Sequence, residues 1–102
     1  MVSGGVNVYP AEIENVLDDH PAVAEVAVFG VPDEEWGQAV HACITVADGA
    51  DAPTLEELRE FGRDRLAGYK LPKGLTVLDE FPRTGSGKVL KRELQSRIAD
   101  RS

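Results

Sequence analysis

Apolar positions along this chain fall into segments whose spacing predicts three helices and three strands. Ile13, Val16 and Leu17 recur at helical spacing after Pro10. Proline in a first helical turn forfeits no hydrogen bond, because the N–H there has no partner within the helix. Glu12 and Glu14 lie near the positive end of this helix, and His20-Pro21 stops it. Ahead of it, Ser3 to Pro10 reads as a glycine turn followed by a short extended piece. Val23 to Val31 is apolar and β-branched nearly throughout, the pattern of a strand covered on both faces. Pro32-Asp33 turns the chain, and a loop runs through Gly37. Val40, Ala42, Ile44 and Val46 then alternate with Ala39, His41, Cys43 and Thr45. That period of two predicts a second strand, paired with the first as an antiparallel hairpin.

In the second half, Thr54 is followed three residues later by Glu57, a capping box opening a helix through about Leu66. Leu55, Leu58, Phe61 and Leu66 form its inner side, and Gly68 suits a left-handed terminator. Leu75 to Leu78 reads as a third strand, and Leu90, Leu94 and Ile98 mark the inner face of a last helix. The sum is one α+β domain over residues 1–102, a small three-stranded sheet with about three helices.

Composition narrows the chemistry. A chain of 102 residues builds one modest core, small for an enzyme with a deep two-substrate site. No apolar run approaches the roughly 18–20 residues that cross a bilayer, and Met1 to Gly5 shows neither the basic nor the apolar region of a secretory signal. The single cysteine, Cys43, excludes an internal disulfide and sits in an alternating apolar run, which points to core packing. His20 and His41 have no ligand-like spacing for zinc. These features fit a cytoplasmic setting. The net charge of −7 argues against nucleic acid as a partner. Its distribution is uneven: residues 1–58 carry 12 acidic side chains and no Lys or Arg, whereas residues 59–102 carry 11 basic and 6 acidic ones. Small anions would be met by the second half.

The stretch Pro82-Arg83-Thr84-Gly85-Ser86-Gly87-Lys88 delivers one lysine to the lip of the last helix on a glycine-spaced loop able to approach a ligand closely and to move. It is not a P-loop, which needs glycine where Pro82 stands and Ser or Thr where Val89 stands. On residue types alone the stretch is equally a plain β-turn bearing a solvated lysine.

Three stretches in order resemble the C-terminal subdomain of the adenylate-forming acyl- and aryl-CoA synthetases: Ser3 to Glu14, Val31 to Gln38 and Pro82 to Leu94, with Tyr69-Lys70-Leu71-Pro72-Lys73 between the last two. The resemblance implies a two-step ligase. A carboxylate attacks the α-phosphate of ATP to give an acyl-adenylate and pyrophosphate, and the thiol of coenzyme A then displaces AMP. It implies that Lys88 serves the first step as a catalytic residue, that Gly4 and Gly5 line the path of the pantetheine arm, and that Trp36, Tyr69 and Lys73 contact the nucleotide end of coenzyme A. In some relatives Arg stands where this chain has Leu71. ATP and Mg2+ would be held mainly by an N-terminal domain, which would also bind the carboxylic acid substrate and which this chain lacks. The family's hinge residue would lie just upstream of Met1, and the chain alone is expected to be inactive. Absence of the peptide-synthetase pattern at Ser3 to Asn7, and of a luciferase-like lysine at Gly4, favours coenzyme A as acceptor. The alternative is a free-standing module that binds a nucleotide or a protein without chemistry.

Overall fold

A computed structural model describes residues 2–3, 6–35 and 37–101. Val2–Ser3 (β1) and Val6–Asn7 (β2) pair antiparallel, Val2 opposite Asn7 and Ser3 opposite Val6. Pro10–Asp18 (α1) follows, with proline in its first turn as expected. Val23–Asp33 (β3) and Gly37–Val46 (β4) form the predicted antiparallel hairpin, in register from Val26↔Ile44 to Asp33↔Gly37. Both strands run further toward the turn than the sequence suggests, and Pro32 lies within β3 opposite Gln38. It is tolerated there because β3 is an edge strand. Asp33 accepts the N–H of Glu35 at 2.9 Å, and Gly37 adopts φ +78, closing a turn shorter than the expected loop.

Leu55–Gly62 (α2) opens with both halves of the capping box: Thr54 Oγ1 accepts from Glu57 N–H at 3.1 Å, and Glu57 Oε1 accepts from Thr54 N–H at 3.0 Å. The helix stops at Gly62 rather than Leu66. Glycine is a poor helix former, and Gly62 packs so closely that a Cβ there would meet Leu71 Cδ2 at 3.1 Å. Leu66 is buried all the same, from the turn that follows. Gly68 is no left-handed cap. It opens a 3-10 turn, Gly68–Lys70, and is absent from the positive-φ glycines Gly37, Gly49 and Gly87. Gly74–Val77 (β5) then joins the far side of β4 in parallel, His41 opposite Gly74. Parallel neighbours need a long crossover, and residues 47–73 with α2 supply it. Lys91–Arg101 (α3) ends the described chain.

The sheet, in order β3-β4-β5, carries an apolar cluster on each face. Val28, Val40, Ala42 and Ile44 meet Ile13 and Leu17 of α1 and Leu58 of α2. Ala27, Phe29 and Cys43 meet Phe81 and the α3 residues Leu94 and Ile98. Residues 27–30 of β3 are therefore all buried, as the unbroken apolar run predicted. Leu90 departs from its expected role: it precedes α3 and is 37% exposed, while its carbonyl accepts the N–H groups of Glu93 and Leu94.

Candidate functional site

Lys88 stands on a short β-hairpin rather than a slack loop. Arg83 and Val89 form an antiparallel bridge, and Leu90 N–H donates to Pro82 O at 2.8 Å. At the tip, Gly87 N–H donates to Thr84 O at 2.9 Å, and Gly87 takes φ +89. Neither Gly85 nor Ser86 has positive φ. This is a type I turn followed by a left-handed glycine, a standard three-residue hairpin closure. Thr84 and Lys88 face each other: Thr84 N–H donates to Lys88 O at 2.9 Å, and Lys88 N–H donates to Thr84 Oγ1 at 3.2 Å. The lysine backbone is thus bound on both sides while its side chain is exposed.

Several other cations are tied down. Lys91 pairs with Glu14 at 2.7 Å, Arg83 with Glu25, and Lys70 with Glu12 at 2.8 Å. No ion pair to Lys88 is present among the described residues. Its side chain borders an open groove of ≈ 730 Å³ lined also by Thr84, Val89, Leu90, Lys91, Arg92, Glu93 and Ser96. Three basic side chains against one acidic one give the wall a positive balance that suits an anion entering from outside.

Tyr69 and Lys73 lie elsewhere. Tyr69 is 40% exposed on the 3-10 turn, with the Lys70 ammonium 5.7 Å from its ring centroid. Hydrogen bonding to Glu12 raises the pKa of Lys70, and the same carboxylate's charge adds to the effect. Lys73 is half-buried and its N–H donates to Val40 O at 2.8 Å. Neither Tyr69 nor Lys73 lines the Lys88 groove. Helix α1 separates the two regions: Glu12 reaches the Tyr69 turn, and Glu14, two residues on and so on another side of the helix, reaches Lys91 at the start of α3. Gly4, Gly5 and Trp36 lie outside the described residues. Cys43 is buried, and burial pushes its thiol up to about 11. It is a packing residue, as the alternation implied.

Arg83 and Glu25 have no site role on sequence alone, and Glu14 only its place near the start of the first helix. Glu25 carried a signal, as the lone charge in an apolar strand run; its partner, 58 residues away, did not.

Residues 12–88 match the model of the AMP-binding enzyme C-terminal domain. The chain belongs to that family, the one its motifs resemble. It is 52% identical over 94 residues to the fatty acid–[acyl-carrier-protein] ligase ScoC of Streptomyces coeruleorubidus, covering 92% of this chain and 18% of that protein. It is 48% identical over 98 residues to a feruloyl-CoA synthase of an Amycolatopsis species, covering 96% and 20% respectively. Its fold matches the o-succinylbenzoate CoA synthetase of Bacillus subtilis, solved with its acyl-adenylate intermediate, at TM-score 0.82 and 44% identity over 92% of this chain and 19% of that one. The chain therefore spans about a fifth of the length of the relatives it matches.

Proposed function

We propose that residues 1–102 form the mobile C-terminal lid of an AMP-forming acid–CoA ligase, with Lys88 as its adenylation lysine. The observation that carries this reading is an exposed ammonium on a hydrogen-bonded hairpin, in no ion pair among the described residues and bordering a groove with more basic than acidic side chains. Adenylation brings an anionic carboxylate to a polyphosphate, and charge opposes the encounter. A pre-aimed ammonium offsets that repulsion and holds the attacking oxygen in line with the α-phosphorus as pyrophosphate leaves. In the second half-reaction a thiol takes the acyl group and AMP departs, with Gly4 and Gly5 flanking the thiol's path and Trp36, Tyr69 and Lys73 at the nucleotide end of coenzyme A. The separation of Tyr69 and Lys73 from the Lys88 groove supports a lid that uses one face per step.

ATP and the carboxylic acid are held, in this reading, by a larger N-terminal partner domain. Among the described residues no cluster of three His, Cys, Asp or Glu could hold a metal ion, so the Mg2+ that accompanies ATP is assigned to that domain as well. Among them, too, no helix is long and apolar enough to cross a membrane. A free, buried cysteine supports a reducing, cytoplasmic setting. The relatives' names support the ligase over a free-standing binding module. The acceptor named for the Streptomyces coeruleorubidus relative is a carrier protein, which favours a second reading in which the acyl group passes to such a protein instead of coenzyme A. Offering both acceptors to the full-length enzyme separates the two.

The test is Lys88→Ala in the full-length ligase, read by pyrophosphate release from ATP and the acid. Adenylation is expected to fall by about 10²–10³-fold, the usual cost of one such donor. An unchanged rate would contradict the role given to Lys88.

A further inference from the structure

The hairpin that carries Lys88 is held to the rest of the domain by charge on its first arm and just beyond its second. On the first arm Arg83 donates from Nη2 to Oε1 of Glu25 in β3, and from Nη1 to the carbonyl of Gly87 at 3.0 Å. One guanidinium thus joins the strand to the peptide unit that leads into Lys88. Just past the second arm, at the start of α3, the Lys91 ammonium lies 2.7 Å from Glu14 Oε2, the same oxygen that accepts the Val28 N–H at 2.8 Å. Beneath the stem, Phe81 is buried and Val89 packs against the α3 cluster. These apolar contacts seat the base of the hairpin. The ion pair from Arg83 ties the first arm to β3, and the one from Lys91 ties the start of α3 to α1.

We infer that Arg83, with Glu25 as its counter-ion, is a positioning residue that aims Lys88 during adenylation; this rests on the reading of Lys88 given above. Neither side chain touches a substrate in this account. A planar guanidinium presents several donors in a fixed fork, so it can grip a carboxylate and a carbonyl together. Lysine, a point charge on a flexible stem, cannot hold both in one geometry. The Gly87 carbonyl is one peptide unit from the Lys88 Cα, so releasing it lets the tip tilt and carries the ammonium off line. A displacement of about 1 Å at a reacting centre can cost on the order of 10²-fold in rate. The pair is partly exposed, and such pairs add little to stability. Loss of a purely structural contact would therefore leave both rate and melting temperature almost unmoved.

The test compares Arg83→Gln, Glu25→Gln and the double variant in the full-length ligase, with Lys88→Ala alongside. Each single change is expected to lower kcat for adenylation roughly tenfold. KM for acid and ATP should stay within about twofold, and thioester formation from pre-made acyl-adenylate should be unaltered. Because the two residues act as one unit, the double variant should be no slower than the worse single one. Amide hydrogen exchange at Thr84 and Leu90 should quicken in Arg83→Gln while α2 stays protected. Arg83→Lys should fail to restore the rate. Full adenylation activity in both single variants, strictly multiplicative losses, or equal losses in the two half-reactions would overturn the inference. If Lys88→Ala itself adenylates normally, the reading of Lys88 falls and takes this one with it. If Lys88→Ala is dead while Arg83→Gln and Glu25→Gln run at full rate, only the positioning role falls. Glu25→Gln, a change of near-equal shape on the surface, keeps the comparison open should Arg83→Gln fold poorly.

Discussion

His41 ties the middle of the sheet to pH. Its Nε2 lies 2.8 Å from Thr76 Oγ1, its ring stacks on Phe29 with centroids 5.9 Å apart, and Gly74 leaves room for it. A Cβ at Gly74 would stand 2.5 Å from His41 Nδ1, so the strand pairing requires glycine there. Burial lowers the His41 pKa below its ordinary 6.5. The unfolded chain then binds the proton more readily than the folded one, so stability rises with pH through that window. It is complete above about 6.5 and is lost as pH falls through the lowered folded value. Urea midpoints measured between pH 7.5 and about 5.5 should decline for the native chain and decline less for His41→Gln; parallel curves would show that His41 is not responsible. The turn that carries Lys88 was legible because its glycine spacing is local, whereas the role given to Lys88 comes from the family resemblance. The Arg83–Glu25 pair was not legible, because only the folded sheet brings those residues together.

Among the elements, the ones read correctly were those announced by short-range chemistry. The proline at the start of α1, the Thr54 capping box and the alternation in β4 each express a preference that acts within a few residues. The misreadings concern ends and partners. Helix α2 stops at Gly62, a poor helix former packed closely beneath Leu71, and Gly68 serves a 3-10 turn instead of a left-handed cap. The parallel attachment of β5 depends on where the crossover lands, which its four residues do not encode. Leu90 continues the helical spacing of Leu94 and Ile98 yet acts as the acceptor before the first turn. Thr54→Ala removes a side-chain acceptor from that capping box and should cost about 1 kcal/mol, read as a lower urea midpoint with an unchanged slope. A midpoint equal to that of the native chain would mean that the cap is replaced by water without loss.

For the molecule as a whole, the arrangement is a sheet with a core on each face and two chemically distinct outer regions. Helix α1 stands between them, bonded through Glu12 to the Tyr69 turn and through Glu14 to Lys91, just past the lysine hairpin. In the proposed reading each region serves one of two successive steps, turned in its turn toward a shared centre. The account therefore depends on a division of labour, which a single-turnover experiment on full-length Lys88→Ala measures directly. Supplied with ATP and acid, the variant should form acyl-adenylate about 10²–10³-fold more slowly than the native enzyme. Supplied with pre-made acyl-adenylate and coenzyme A, it should form thioester at a rate within about threefold of native. Equal impairment of the two half-reactions would contradict the account.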